Sequence, residues 1–309
     1  MNRALILAAL VGLASSIASA QSRTTGDCVL MVPDSTNDRV MLFDSADGSL
    51  ITDNFIDMVP QGAATPVNAV QVGSEIWVSD QVADSIFRYS LDGTTFLGAI
   101  TGGMDNIRGF EVVGNTAYVT NAGSSNGAPG NGIVTIDVAT QTINGFFATG
   151  DNGDGSPFDV LSYFGNLLIN DINGEDIDVF DNSGNFQSVF VESDGISGID
   201  FPEQMTTTEF GNVLAGGFSD PAGIYEYDNG GNLLNYYDVN RSVRGVYELD
   251  NGNIMFTSGD GVFVLDTATG AITTSISGVS ARFIECVVPA PSSVALLGLA
   301  GIAAFRRRR

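Results

Sequence analysis

The residues of this chain that could do chemistry are arginines and carboxylates. Its 309 residues include 36 acidic side chains and 12 arginines, with no lysine and no histidine. The absence of histidine excludes serine or cysteine nucleophiles paired with histidine, and histidine-ligated metal sites. The net charge of −24 repels phosphate backbones, so we expect no nucleic-acid partner. The chemistry that these exclusions leave open is cation binding by carboxylates and anion binding by guanidinium groups.

The clearest cation candidate is the segment 151–155, with the sequence DNGDG, followed by Asp159. Hard cations such as Ca²⁺ bind several oxygen ligands that converge on a tight turn, which glycine permits. Asp151, Asp154 and Asp159 are therefore candidate calcium ligands, and calcium is the one cofactor that the sequence suggests. The alternative is a structural turn, because Asn-Gly and Asp-Gly pairs are common turn formers.

The anion candidates are arginines at equivalent positions of an internal repeat. If the first strand of each repeat lines a central channel, its first polar residue lies at the channel mouth. These residues are Asn68, Arg108, Asp159, Gln204, Arg244 and Arg282. The three guanidinium groups suit a carboxylate, a sulfate or a uronic acid. The alternative is ion pairing between repeats, in which the partner would be Asp159, Glu111 or Glu285.

The repeat predicts the elements that position these side chains. At six points an aromatic or aliphatic residue precedes Asp or Ser, and at five of them a glycine follows within the turn. The six positions, spaced 46, 47, 44, 47 and 38 residues apart, are Asp44, Ser90, Asp137, Asp181, Asp228 and Asp266. This spacing matches the length of a four-stranded propeller blade.

Each unit divides into four short strands separated by turn residues. In the second unit the strands are predicted at Val67–Val72, Glu75–Ser79, Ile86–Ser90 and Thr95–Ile100. The second strands of the other units are predicted at Val29–Pro33, Thr116–Thr120, Asn166–Asn170, Asn212–Gly216 and Asn253–Thr257. Their β-branched and aromatic residues suit sheets that are buried on both faces.

The first unit begins at its second strand, and the missing first strand lies at the far end of the repeats. The segment Arg282–Cys286 aligns with Ile107–Glu111 and with Val243–Tyr247. The sequence therefore predicts an all-β fold, a six-bladed β-propeller of four-stranded blades, closed by the C-terminal strand pairing into the first blade. Closure removes the exposed sheet edges that an open stack would leave.

The two cysteines support this closure independently. Cys28 and Cys286 fall on neighbouring strands of the closing blade, in diagonal positions. In an oxidising compartment this arrangement predicts a disulfide that locks the ring. Two free buried thiols are the alternative.

The N-terminal end of the chain predicts export. Residues 1–20 combine Arg3, an apolar run over Ala4–Leu13 and a small-residue cleavage site at 18–20, as a secretory signal peptide does. A buried N-terminal helix is the alternative. The propeller domain is then predicted to occupy residues 21–288.

The C-terminal end, residues 289–309, combines a Pro-x-Pro-Ser-Ser motif, the apolar run Val294–Phe305 and four arginines. A helix over this run is about 18 Å long, short of the roughly 30 Å hydrocarbon core, which predicts only transient membrane insertion. The segment resembles the PEP-CTERM sorting signal of exported Gram-negative proteins, with Ala290 where that family usually has glutamate. The resemblance implies an exosortase-type sorting enzyme as a partner, and display at the cell surface, in the outer envelope or in the extracellular matrix. An ordinary tail anchor is the alternative.

The repeat pattern over residues 27–288 resembles the NHL and YVTN type of β-propeller, which implies architecture and no particular activity. We therefore expect a non-catalytic binding or extracellular-matrix module whose partner is an anionic glycan or a surface protein. One alternative is a calcium-dependent hydrolase or lyase similar to gluconolactonases, which would need a carboxylate cluster at the channel mouth. Another is a structural component of a surface layer.

Overall fold

Six antiparallel sheets of four strands each make up the fold. A computed structural model describes residues 28–149, 155–193 and 196–288. Blade 1 contains β1 (Val29–Asp34), β2 (Arg39–Asp44) and β3 (Leu50–Asp57). Blade 2 contains β4 (Pro66–Val72), β5 (Glu75–Asp80), β6 (Ser85–Ser90) and β7 (Phe96–Thr101). Blade 3 contains β8 (Phe110–Val113), β9 (Thr116–Asn121), β10 (Gly132–Asp137) and β11 (Thr142–Phe147).

The second half of the ring repeats this pattern. Blade 4 contains β12 (Pro157–Tyr163), β13 (Asn166–Asp171), β14 (Asp176–Phe180) and β15 (Phe186–Val191). Blade 5 contains β16 (Pro202–Thr207), β17 (Val213–Gly217), β18 (Gly223–Tyr227) and β19 (Leu233–Tyr237). Blade 6 contains β20 (Gly245–Glu248), β21 (Ile254–Ser258), β22 (Gly261–Leu265) and β23 (Ile272–Ser277). The last strand is β24 (Glu285–Val287).

In the part of the chain that the structure describes, the helical elements are two short 3₁₀ turns, Val59–Gln61 and Ser125–Gly127. Within the described ranges, no helix has the length and apolar character needed to cross a membrane. The signal peptide predicted at 1–20 and the sorting segment predicted at 289–309 lie outside the described residues.

The predicted closure is confirmed. Strand β24 pairs antiparallel with β1, with Leu30 opposite Cys286 and Val29 opposite Val287, so blade 1 takes its innermost strand from the far end of the domain. A disulfide joins Cys28 and Cys286 across a sequence separation of 258 residues, and their Cα atoms lie 5.7 Å apart. The bond connects diagonal positions of the two strands, as the repeat register predicts.

The core lies between the faces of neighbouring blades. One cluster packs Leu30 and Met41 of blade 1 against Met255 and Val264 of blade 6, and similar clusters fill the other blade junctions that the structure describes. The second strand of each blade is therefore buried on both sides, which explains its Val, Ile and aromatic content. Its predicted bounds agree with the observed ones to within one residue.

The aspartates of the repeat motif are turn residues. Asp181 and Asp228 each accept a hydrogen bond from the backbone N–H two residues later, at 2.8 Å in both cases, in the hairpin between the third and fourth strands. Hydrogen bonds from the side chains of Asn185 and Asn232, followed by backbone N–H bonds, stabilise the ionised form and lower the pKa of both carboxyls. The repeated aspartate from which the fold was predicted therefore has a structural role, which is to stabilise the hairpin between the two outer strands of a blade.

A second set of polar residues, near the ends of the second strands, ties neighbouring blades together. Ser79 Oγ of blade 2 donates to the carbonyl of Arg108, at the start of blade 3, at 2.5 Å. Asn170 Oδ1 accepts from the N–H of Asp159 at 2.6 Å, while its Nδ2 donates to the carbonyl of Pro202 in the next blade at 2.9 Å. These bonds hold the inner strands, and the side chains at their starts, in fixed relative positions.

Thr257 makes the equivalent connection between blade 6 and the closing segment, and its loss should weaken the ring. Its buried Oγ1 donates to the carbonyl of Arg282 at 2.6 Å. Replacing it in a Thr257→Val variant keeps the shape but leaves that carbonyl without this donor, so we expect the free energy of unfolding to fall by about 1–2 kcal/mol. Urea unfolding measures this change. The exposed Thr274 on β23 provides the control, because Thr274→Val should be nearly neutral; equal effects of the two substitutions would contradict the assignment.

Candidate functional site

The innermost strands of the six blades surround a central channel. Strands β4, β8, β12, β16, β20 and β24 all begin at one end of it, which we call the arginine end, and finish at the other, the carboxylate end. Between the two ends Val67, Phe158 and Phe283 form a buried apolar cluster, and the rings of Phe158 and Phe283 lie 6.0 Å apart.

Arg108 is the most deeply buried arginine of the arginine end, with 7% of its surface exposed. Its Nη1 donates to Ser156 Oγ and to the carbonyl of Pro157, both at 3.2 Å, and its guanidinium lies 4.5 Å from the centre of the Phe158 ring. Its buried Nε has no hydrogen-bond partner. Burial lowers the pKa of Arg108 to about 10, so this side chain stays charged at neutral pH.

Arg244 and Arg282 complete the group from the neighbouring inner segments. Arg244 Nη1 donates to Ser280 Oγ at 2.8 Å, and its guanidinium lies 5.5 Å from the centre of the Phe218 ring. Arg282 Nε donates to Ser35 Oγ at 3.1 Å. Burial, together with the nearby charge of Arg244, lowers the pKa of Arg282 to about 10. Serine hydroxyls thus orient both guanidinium groups without neutralising them.

The carboxylate that faces these three arginines is Glu203 of β16. Only 2% of its surface is exposed, and its Oε2 has no hydrogen-bond partner. Burial raises its pKa to about 7, although the charges of Arg282, Arg244 and Arg108 favour the ionised form. The ion pairs among the described residues join other groups, namely Arg39 with Asp34 and Asp53, Arg88 with Glu75, and Arg241 with Asp260.

Among the described residues, no ion pair joins these arginines to Asp159 or Glu111. Sequence reasoning missed Glu203, because it selected the adjacent Gln204 as the channel residue of blade 5. The strand pairing slips between Pro202 and Met205, so the simple in-out alternation of a strand does not hold there. The only available signal was a glutamate at the start of a predicted inner strand.

The other predicted channel residues connect inner strands. Asn68 Nδ2 donates to the carbonyl of Phe110 at 3.2 Å, and Gln204 Nε2 donates to the carbonyl of Ile284 at 2.8 Å. Asp159 Oδ2 accepts from the N–H of Met205 at 2.8 Å. The structure thus brings Arg108, Arg244 and Arg282 together, while it engages Asn68, Gln204 and Asp159 in bonds between blades.

An aromatic wall flanks the arginine end. The ring of Phe201 lies 5.7 Å from that of Phe158 and 5.3 Å from that of Phe218, which Arg244 faces. The backbone of Phe201 has a φ of +50°, a left-handed conformation that bulky residues rarely adopt. Such strain is typical of functional sites, where the surrounding structure imposes the conformation.

The calcium prediction stays a prediction. Asp151 and Asp154 lie outside the described residues, and Asp159 lies in β12 with 3% of its surface exposed. Burial raises the pKa of Asp159 well above its ordinary value, and the nearby Glu111 and Glu203 raise it further. Within the described ranges, no group of three or more His, Cys, Asp or Glu residues has an arrangement that could hold a metal ion.

The carboxylate end contains a cavity of about 320 Å³ that sequence reasoning did not predict. Its lining includes Glu111, Glu209, Glu248, Glu285 and the disulfide. Protein donors engage part of this group: the N–H of Glu209 donates to Glu248 Oε2 at 2.5 Å, and Gln204 Nε2 donates to Glu285 Oε1 at 3.1 Å. Burial raises the pKa of Glu111 to about 7. Glutamates thus line this end of the channel, whereas the three arginines lie at the other.

Comparisons with known proteins show the fold. The chain is similar to a structure of a nidogen/laminin complex, at 13% identity and a TM-score of 0.65 over 85% of this chain and 100% of that one. It is similar to a protein of unknown function from Bacteroides caccae, at 13% identity and a TM-score of 0.61 over 85% and 99% of the two chains. No family profile matches the chain, and no curated protein matches its sequence.

A third similar structure is an enzyme. It is a catalytically inactive histidine-to-alanine variant of virginiamycin B lyase from Staphylococcus aureus with quinupristin, at 14% identity and a TM-score of 0.57 over 87% of this chain and 94% of that one. Identities this low establish the propeller fold and nothing about activity. The present chain has no histidine at any position.

Proposed function

We propose that this protein is an exported, non-catalytic β-propeller binding module that captures an anionic ligand at the arginine end of its channel. The observation that carries the proposal is that Arg108, Arg244 and Arg282 all act on the buried carboxylate of Glu203, while none of them forms an ion pair with it. Buried polar atoms in folded proteins nearly always have a partner. The unpartnered Nε atoms of Arg108 and Arg244 therefore support a role in holding a further acceptor.

The ligand class follows from the donors and from the overall charge. Guanidinium groups fit the planar or tetrahedral oxygens of a carboxylate or a sulfate, and the aromatic wall suits the apolar face of a sugar ring. We assign the ligand to an anionic glycan or to an acidic segment of a surface protein. Nucleic acid is a poor candidate, because a net charge of −24 repels a continuous phosphate backbone.

The proposal places the protein outside the cytoplasm, at the surface or in the extracellular matrix of a Gram-negative bacterium. The signal-like residues 1–20 and the PEP-CTERM-like residues 289–309 support export and handling by an exosortase-type enzyme. The disulfide between Cys28 and Cys286 supports an oxidising compartment. In this proposal the C-terminal apolar run enters the membrane only until the protein is sorted.

Substituting Arg244 and Arg282, the two less buried arginines of the arginine end, tests the ligand site. In an Arg244→Gln, Arg282→Gln variant, affinity for a polyuronate oligosaccharide should fall at least tenfold, because two charge-assisted hydrogen bonds are lost. Titration calorimetry measures the affinity for the acidic oligosaccharide. The same titration with a neutral oligosaccharide, whose carboxyl groups have been reduced to alcohols, measures the selectivity for charge. Arg88→Gln is the matched control, because Arg88 is paired with Glu75 at 3.0 Å and lies outside the channel. Equal affinity of all three proteins would refute the proposed site.

A further inference from the structure

The arginine end holds an unusual balance of charge. Arg108, Arg244 and Arg282 precede three different inner strands, β8, β20 and β24, and the charges of all three act on the carboxylate of Glu203. Glu203 stands among them on β16, and its Oε2 is buried without a hydrogen-bond donor. All three arginines act on the charge of Glu203, whereas Asp171 acts on Arg108 and Asp80 acts on Arg282.

A ligand anion held by these arginines would share its surroundings with Glu203. Two negative groups in one poorly hydrated site repel each other, and one of them then takes a proton. A sulfate, or a ligand carboxylate held by several guanidinium donors, is the harder of the two to protonate, because those donors favour its charged form. Glu203, which has no ion pair and an unpartnered oxygen, is the easier one.

We infer that Glu203 is an internal counter-ion of the anion site, and that it takes up one proton when an anionic ligand binds between Arg108, Arg244 and Arg282. This inference rests on the proposed function and adds its regulation: the site binds anions more tightly in acid than in alkaline surroundings. No bond other than that between the proton and the Glu203 carboxyl is formed, and the proton comes from the solvent.

The groups around Glu203 support this assignment. Besides the three arginines, the titratable neighbour is Asp159 on β12, which is itself buried and has a raised pKa. Asp171 lies close enough to Arg108, and Asp80 close enough to Arg282, to act on those arginines rather than on Glu203. Because the pKa of Glu203 is about 7, protonating it near neutral pH requires little free energy.

Sulfate is a suitable probe, because it stays a dianion between pH 6 and 8.5. Titration calorimetry at pH 8 in two amine buffers of different ionisation enthalpy measures the number of protons taken up with each bound sulfate. For the wild-type chain we expect close to one proton, and a fall in affinity approaching tenfold per pH unit above pH 7. In Glu203→Gln, which is permanently neutral, we expect no proton uptake and an affinity at pH 8 that is higher than that of the wild type.

The matched control is Glu111→Gln. Glu111 has a similarly raised pKa but lines the cavity at the carboxylate end, so its substitution should leave the proton uptake in place. Sulfate binding without proton uptake, or uptake that persists in Glu203→Gln, would overturn the inference and leave the proposed function standing. Absence of sulfate binding in both the wild type and Glu203→Gln would overturn the proposed function and this inference together.

Discussion

Removing the disulfide should destabilise the propeller by about 5 kcal/mol, the largest effect that we expect from any local change. The bond between Cys28 and Cys286 closes a loop with a sequence separation of 258 residues. A cross-link over so long a loop restricts the unfolded chain, and the entropy that it removes grows with the logarithm of loop length. For a domain of this size the loss corresponds to a fall in Tm of about 10 °C.

Reduction leaves the closing segment held by non-covalent contacts alone. Strand β24 spans only Glu285–Val287 and pairs with β1 over three residues. Backbone hydrogen bonds from Arg282 to Pro33 and from Phe283 to Val67, at 2.9 and 3.2 Å, also hold the closing segment, as do the buried Phe283 and Ile284. Thermal unfolding of the wild type with and without reductant measures the effect. A Cys28→Ser, Cys286→Ser variant should unfold at the midpoint of the reduced wild type, and reductant should not change that midpoint. An unchanged midpoint on reduction would show that the disulfide does not stabilise the closure.

The repeat allowed most of the fold to be predicted from the sequence, because each unit supplies the same alternation and the same turn residues. Predicted strand Glu75–Ser79 is observed as Glu75–Asp80, and the closing strand lies where its alignment with Ile107–Glu111 places it, beside β1. The repeat also placed Arg108, Arg244 and Arg282 at one end of the channel, because equivalent positions in a closed ring lie at equivalent heights.

Two features of the channel could not be predicted in this way. Glu203 lies where the pairing of β16 with β17 slips, as the pairing also does at Pro66 in β4 and at Pro157 in β12, and a simple in-out alternation does not include such slips. The cavity at the carboxylate end combines Glu209 and Asp250, which follow their inner strands, with Glu111 within β8. These residues occupy different positions of the repeat, so no alignment of units brings them together.

The pH dependence of stability should reveal Glu203 even without a ligand. A glutamate in an unfolded chain has a pKa near 4.5, and burial raises that of Glu203 to about 7 in the native state. Between these values the native protein binds more protons than the unfolded chain, so the free energy of unfolding falls as the pH rises. The contribution of Glu203 is fully present below pH 4.5 and is lost by about pH 7.5, a change of about 3 kcal/mol.

The substitution Glu203→Gln makes this prediction specific. Glutamine resembles the protonated glutamate, so the variant should match the wild type at pH 5 and exceed its stability at pH 8 by up to about 3 kcal/mol. Removing the negative charge of Glu203 should therefore stabilise the protein, because the desolvation of that charge outweighs its attraction to the three arginines. Urea unfolding at both pH values measures the difference. Asp181→Asn is the control, since hydrogen bonds lower the pKa of this exposed turn carboxyl and any contribution it makes is lost only in acid. Parallel pH profiles for the wild type and Glu203→Gln would show that Glu203 is already neutral, or equally charged, in both the native and the unfolded state.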